Sequence, residues 1–168
     1  MAPGRIMVGD TDGVYLLKLV GDVRVTLCIS AEGFIHRMLA DPEFKAVTID
    51  LSDARGMDST SLGILARIAI ETRRQHNLRP TVLVTNPDLE KLIRVSGLAD
   101  EFKFVRSAVV ADVAINELPQ YNALDEGELR RRVIDAHRTL MSMNAANEAT
   151  FRDLVLALEA EERGPGGC

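Results

Sequence analysis

Three hydroxyl side chains and one carboxylate are adjacent at Asp58-Ser59-Thr60-Ser61, directly before a segment with helical spacing of apolar residues. Aspartate, serine and threonine are favoured at helix starts because their side-chain oxygens accept hydrogen bonds from backbone N–H groups without helical partners. One such residue is enough to cap a helix. A hydroxyl at this position is also a good phosphate acceptor, because the helix N-terminus favours the added negative charge. The pattern therefore indicates a plain helix cap or a phosphorylation site.

A catalytic use of this region would rest on Asp50 and Asp58 as a carboxylate pair that exchanges protons with a substrate. The sequence has no glycine-rich phosphate loop, no dinucleotide fingerprint, no His-Glu-x-x-His pair and no Gly-x-Ser-x-Gly motif. Its three histidines, His36, His76 and His137, are far apart, and nothing in the sequence pairs them with a nucleophile. We therefore expect no enzymatic activity, no metal site and no cofactor.

The elements that would position these residues follow from the spacing of apolar side chains. Val14–Val20 and Val23–Ile29 are rich in β-branched residues and are separated by Gly21-Asp22, which predicts an opening β-hairpin. Ser30 precedes apolar residues at helical spacing and predicts the start of a first helix. The run Ala46–Leu51 predicts a strand buried on both faces, as in a sheet covered by helices.

The alternation of helices and strands continues beyond this strand. Ser61–Arg74 predicts the longest helix, with apolar residues three and four positions apart. Strands and helices in this order predict an α/β domain in which helices pack on a sheet. The later elements are expected to be a strand, a helix, a strand and a short helix at Thr81–Thr85, Pro87–Val95, Phe102–Val105 and Val109–Asn116.

The chain changes character after this domain. Leu118–Asn122 is typical of a linker, and Asp125 with Glu128 is typical of a capped helix start. Two apolar stripes follow, on either side of residues 144–147, and they fit a helical hairpin or one bent helix. Either the parent domain or a dimer or partner contact must cover these stripes. The expected regions are an α/β domain over 1–117, a helical extension over 118–163 and a flexible tail over 164–168.

Charge and composition limit the kind of partner. The net charge of −5 argues against nucleic acid, because binding a phosphate backbone needs concentrated lysine and arginine. The basic run Arg130-Arg131-Arg132 has acids around it and is typical of a solvated helix face. No window could cross a bilayer and the N-terminus lacks a secretory signal, so we expect a cytoplasmic protein. Cys28 and Cys168 give neither a disulfide framework nor a metal spacing.

Two segments of the sequence resemble a known family. Ile49-Asp50-Leu51-Ser52 followed by Met57–Leu65 looks like the STAS-domain signature of bacterial anti-sigma factor antagonists. Leu92–Leu98, before Phe102, is similar to a downstream segment of the same family. The resemblance covers residues 10–115. It implies a mixed α/β sheet of four to five strands with helices mainly on one face, and a binding surface around the start of the second long helix.

The resemblance implies partner switching without catalysis. In the family, an anti-sigma factor with kinase activity places a phosphate on the residue after the Asp-Ser pair, and a metal-dependent phosphatase removes it. That residue is Thr60 here, and Ser59 and Ser61 are the alternatives. The unphosphorylated form binds the anti-sigma factor, which frees a sigma factor. The expected partner-binding residues are Asp22, Asp50, Ser52, Met57, Asp58, Ser59, Thr60, Ser61 and Leu62.

This sequence also departs from the family pattern. Thr60 and Ser61 stand where serine and glycine are common, so either a threonine is the acceptor or a neighbouring serine replaces it. Arg24 stands where the family often has a second acid, at a position that bears on partner choice. The alternative function is a constitutive STAS subunit of a membrane transport complex that docks on an ATPase, with the hydroxyls acting only as caps. The C-terminal helices are a candidate surface for a homodimer.

Overall fold

A computed structural model describes residues 4–107, 113–119 and 125–164. These residues form a mixed seven-stranded sheet with helices, followed by two long C-terminal helices. The strands are β1 (Arg5–Thr11), β2 (Val14–Val23), β3 (Ala46–Asp50), β4 (Ala54–Met57), β5 (Thr81–Leu83), β6 (Lys103–Val105) and β7 (Asn116–Glu117). The helices are α1 (Val25–Ile29), α2 (Glu32–Ala40), α3 (Ser59–His76), α4 (Pro87–Ile93), α5 (Glu126–Met141) and α6 (Ala145–Glu162), and a π-helical turn at Arg94–Leu98 continues α4.

The sheet confirms the predicted fold class. Its strand order is β6-β5-β3-β2-β1-β7, and β4 pairs with the end of β2. β2, β3, β5 and β6 are parallel, whereas β1 is antiparallel to both β2 and β7. The sheet has more strands than the four to five expected, because β1 and the short β4 and β7 were not predicted. Parallel strands bring their carboxyl ends to one edge, and the candidate site lies at that edge.

The core lies on one face of the sheet. Leu17 and Leu19 of β2 and Val47 and Ile49 of β3 are buried, while the residues between them are more exposed. This alternation is typical of a sheet with one covered face. The expectation that Ala46–Leu51 is buried on both faces was therefore wrong for the strand, and the expectation of helices mainly on one face agrees with the alternation.

The opening hairpin was predicted in the wrong place. β1 and β2 form it, joined by Asp12 and Gly13, which have φ angles of 51° and 84°. An Asp-Gly pair favours the tight hairpin turn, because both central residues adopt positive φ. Gly21-Asp22 instead lies within β2, where the pairing with β4 shifts register.

The segment predicted as the second hairpin strand is the short helix α1. Its β-branched composition favours a strand, but its first N–H group, that of Val25, donates to the distant Asp58 carboxylate at 2.9 Å. A tertiary contact of this kind overrides local propensity. The start of the next helix differs from the prediction as well. Ser30, the predicted start, ends α1, and α2 begins at Glu32.

The later predictions hold with small shifts. α3 extends two residues further in each direction than predicted and ends at Asn77, whose left-handed backbone has a φ of 55°. Helix α4 continues into the π-helical turn as far as Gly97, whose φ of 90° interrupts the helix, so the predicted end before Gly97 is confirmed. The predicted helix at Val109–Asn116 is wrong where it can be compared, since 113–115 are irregular and Asn116 belongs to β7; residues 109–112 lie outside the described ranges.

The C-terminal extension is a helical hairpin. α5 and α6 pack against each other, and their starts are capped by Asp125 and Asn144, whose side chains accept from Glu128 N and Asn147 N. α5 also packs along α3, so the parent domain covers the apolar stripe. Residues 120–122 of the predicted linker and 165–168 of the predicted tail lie outside the described ranges.

Candidate functional site

The candidate site lies where two strands end and two helices begin. Pairing of β2 with β4 places Asp22 beside Gly56 and Val23 beside Met57. The Asp58 N–H donates to the Val23 carbonyl at 3.1 Å, which ends β4 and starts α3. The hydroxyl cluster therefore follows directly from a strand pairing that fixes its backbone.

Asp58 caps two helices at once. Its Oδ1 accepts from Ser61 N at 2.7 Å, which is the usual N-cap bond of α3. Its Oδ2 accepts from Val25 N at 2.9 Å, at the start of α1. Sequence reasoning included Asp58 among four candidate caps of α3 but missed the contact with Val25, because no local pattern links residues 25 and 58. Asp58 thus joins the two helix starts that frame the site.

The three hydroxyls differ in exposure. Ser61 is fully buried and Thr60 is 6% exposed, whereas Ser59 is half-buried. The Ser61 hydroxyl donates to the Val23 carbonyl at 3.4 Å, and its N–H group donates to Asp58. Packing therefore covers most of Thr60 and all of Ser61 in this conformation, and Ser59 is the most exposed of the three.

Ser59 has a histidine partner. Its Oγ lies 2.8 Å from Nε2 of His137 on α5, and Nδ1 of the same ring lies 2.7 Å from the Val133 carbonyl. A carbonyl only accepts, so Nδ1 carries a proton, and in the neutral ring Nε2 accepts the Ser59 hydroxyl proton. Sequence reasoning paired no histidine with a nucleophile and was wrong here.

The position of His137 explains why the sequence analysis missed this pair. It also provides a signal that could have revealed the pair. Val133, Ala136, His137 and Leu140 follow helical spacing along the apolar stripe of α5. A histidine on such a stripe faces whatever covers the stripe, and His137 is 2% exposed. What the sequence could not show was that the covering element is the start of α3.

α5 approaches α3 most closely at Gly63. A Cβ atom at this position would lie 2.3 Å from the Ala136 carbonyl oxygen, a distance that side chains do not tolerate. The absence of a side chain therefore allows the two helix backbones to touch. Arg67 of α3 and Arg132 of α5 both lie beside the Glu32 carboxylate, at 2.8 Å and 3.9 Å. The C-terminal hairpin thus covers the N-terminal half of α3.

Asp50 and Ser52 stabilise the turn after β3. The Asp50 Oδ1 accepts from both Ser52 N and Ser52 Oγ, at 2.9 Å and 2.6 Å. Lys18 lies 4.0 Å from Asp50 and 2.9 Å from Asp53. Asp50 and Asp58 thus have separate partners, and the geometry gives no support to a catalytic carboxylate pair. Across the described ranges, no group of three or more histidine, cysteine or acidic residues could hold a metal ion.

The remaining predicted contact residues differ in how far they reach the surface. Asp22 forms an ion pair of 2.6 Å with the exposed Arg24, so the arginine that replaces a family acid neutralises its neighbour. Met57 is half-buried and packs on the core, and Leu62 lies within the core at 3% exposure. Leu62 therefore offers no side-chain surface to a partner.

Cys28 is buried beside Ser61, and burial raises the pKa of its thiol to about 12, so it is unreactive at neutral pH.

Comparison with known proteins defines the family. The family model of the STAS domain matches residues 5–111, well over half of the chain, and the chain therefore belongs to the STAS family. A search of curated proteins returned no significant match. Among solved structures, the chain is similar to an uncharacterized protein of the DUF3478 family with a SpoIIAA-like fold from Shewanella loihica PV-4. The two share 17% identity over 64% of this chain and 92% of that one, with a TM-score of 0.45.

In the part of the chain that the structure describes, no helix combines the length and hydrophobicity needed to cross a membrane.

Proposed function

We propose that this STAS protein is an anti-sigma factor antagonist controlled by phosphorylation. Its unphosphorylated form binds an anti-sigma factor and frees a sigma factor, and its phosphorylated form releases that partner. The kinase is the anti-sigma factor or an associated serine/threonine kinase, and a metal-dependent phosphatase restores the binding form. The protein acts in the cytoplasm and catalyses no reaction itself.

The observation that carries this proposal is the set of three hydroxyls in the first turn of α3 within a STAS domain. Thr60 is the second residue of that helix, where backbone N–H groups lack helical acceptors. A phosphate there gains from the helix dipole and from those N–H groups. Its charge of about −1.5 to −2 would be added two residues from Asp58, and so would change the surface that a partner meets.

The acceptor we propose is Thr60, with Ser59 as the second candidate. Thr60 matches the family position, but the residue as a whole is only 6% exposed. Ser59 is the most exposed of the three, and its hydroxyl proton points to His137. Ser61 is the weakest candidate because its N–H group and hydroxyl are both engaged in holding the turn.

The test compares Thr60→Val with Thr60→Asp in the full chain. Valine keeps the shape of threonine without a hydroxyl, so it should retain the partner and resist phosphorylation. Aspartate adds a charge at the helix start and should weaken partner binding at least about tenfold, equivalent to about 1.4 kcal/mol. Each variant serves as bait in extracts of the native cells, the captured anti-sigma factor is purified, and its affinity is measured by calorimetry. Circular dichroism establishes that both variants are folded.

The alternative of a constitutive subunit makes a different prediction. If the protein docks on a transporter ATPase, both variants bind it equally and no hydroxyl of the cluster is modified in cells. Equal affinities for a purified partner would therefore contradict the switch and favour constitutive docking.

A further inference from the structure

We propose that the C-terminal hairpin α5–α6 is a removable cover over the start of α3, so that phosphorylation and partner docking both require it to open. The biological role of this cover rests on the proposed function, whereas the opening itself does not. Two independent contacts support it, one at each side of Thr60.

The first contact is the hydrogen bond between Ser59 and His137. It joins the residue before Thr60 to a histidine that is 2% exposed, at a distance of 2.8 Å. The His137 ring also packs edge-on against Phe151 of α6, with ring centroids 4.9 Å apart. Both helices of the hairpin therefore support the histidine that covers Ser59.

The second contact is the close approach of Gly63 to the backbone of Ala136. Gly63 is four positions from Ser59 and three from Thr60, and positions three and four apart are neighbours on a helix surface. Along the chain, Thr60 therefore lies between a residue that is hydrogen-bonded to α5 and a residue whose backbone α5 approaches closely. With only 6% of its surface exposed, Thr60 offers little access to a kinase active site while the hairpin is in place.

The hairpin is tied internally, which allows it to move as one unit. Arg130 lies 3.5 Å from Glu161, and Arg138 pairs with Glu159, so charged pairs join α5 to α6. Besides its packing on α3, the hairpin is held to the domain by Asn147, which donates to the Ser96 carbonyl at 2.7 Å, and by Arg132, which lies 3.9 Å from Glu32. The ion pairs between α5 and α6 would therefore remain formed when the hairpin opens.

Opening and modification are linked. A phosphate that fits only the open state lowers the free energy of that state, and a partner that binds the same surface does likewise. By reciprocity, a substitution that loosens the hairpin should speed modification of Thr60. The cover would then set how easily the switch responds.

Thiol labelling measures opening without any partner. The variant Thr60→Cys, in a chain that also carries Cys168→Ser, holds one thiol under the hairpin and one in the core at Cys28. The full chain is treated with iodoacetamide, and peptide mass spectrometry follows each thiol separately. Cys28 reports global unfolding, because it is 3% exposed within the core of the α/β domain.

We expect the thiol at position 60 to react at least about tenfold faster than Cys28, because local opening is easier than global unfolding. Adding Gly63→Ala should speed it further, since the new methyl group meets the Ala136 carbonyl. The matched control is Gly33→Ala on α2, where an added Cβ would lie 3.5 Å from its nearest neighbour, Arg37 Nη1. This control should leave both rates unchanged.

A second pair of variants keeps the test decisive if Gly63→Ala fails to fold. His137→Ala removes the bond to Ser59, and His36→Ala, at an exposed position on α2, is its control. If the two thiols react at the same rate in every folded variant, the hairpin opens only with the whole domain and the proposal is wrong. Selective opening without any phosphate in cells would instead retain the cover and reject the phosphorylation switch.

Discussion

The two ends of α3 are built from similar parts but are covered by different regions of the chain. At the C-terminal end, the His76 ring stacks on Phe44 with centroids 4.4 Å apart, and its Nε2 lies 3.0 Å from the Leu39 carbonyl. At the N-terminal end, His137 packs against Phe151 and bonds Ser59. The partners of the first end belong to the α/β domain itself, whereas those of the second belong to the C-terminal hairpin.

This difference separates a structural end from the end that we propose is regulated. Around His76 the contacts continue into the domain, because Phe44 stacks on Tyr15, whose hydroxyl donates to Asp41 at 2.5 Å. All of these elements are needed to form the sheet and its core. At the other end, the hairpin can leave without removing any strand from the sheet. The end of α3 that carries the hydroxyls is thus the end whose cover contributes no strand to the sheet.

The largest effect is expected at Asp58, which joins α1 and α3. Asp58→Ala leaves two helix starts without their cap, and we expect a loss of about 3 kcal/mol in the free energy of unfolding. The control is Asp125→Ala, which removes one exposed cap from α5 and should cost about 1 kcal/mol. Urea denaturation measures both. Equal losses would show that the bond to Val25 contributes little.

Replacing His76 by alanine tests the comparison between the two ends of α3 directly. His76→Ala removes a stacked ring from the α/β domain and should lower the free energy of unfolding by about 1–2 kcal/mol. It should leave the ratio of the two labelling rates unchanged, since its contacts are remote from the hairpin. A selective rise in labelling at position 60 in this variant would mean that the two ends of α3 are coupled, contrary to our account.

The smallest effect concerns Tyr15 at the structural end. Burial of the ring and the hydrogen bond to Asp41 raise the pKa of the Tyr15 phenol to about 12. Because the folded pKa lies above the unfolded value near 10, this contribution to stability is present below pH 10 and is lost as the pH rises towards 12. Titration of phenolate absorbance in the Tyr121→Phe variant, which leaves one tyrosine, should give a midpoint near pH 12. A midpoint near 10 would mean that neither the burial of the ring nor its bond to Asp41 holds in solution.

Much of the fold could be predicted from the sequence, because β3, α3, β5, α4 and β6 each carry a local pattern of apolar residues. The errors lie where distant residues decide local structure. Val25–Ile29 has strand composition but is a helix whose first N–H group bonds Asp58. The short β4 forms only because the end of β2 is there to pair with it.

The site was predictable in its residues but not in its environment. The N-cap role of Asp58 and the position of the hydroxyls follow from local sequence. The burial of Thr60 and the Ser59–His137 bond depend on the docking of α5, over a separation of 78 residues, which no spacing rule addresses. The apolar stripe of α5 indicated that something covers it, and the structure identifies α3 as the cover.

The measurement that tests the central claim most directly is phosphate mapping on the protein purified from its native cells. Intact-mass and peptide mass spectrometry would be compared with phosphatase-treated material, across several growth conditions. Our account predicts one phosphate within Ser59–Ser61, on Thr60, in a fraction of molecules that changes with conditions. Unmodified hydroxyls under every condition would contradict the switch and leave the cluster as a helix cap.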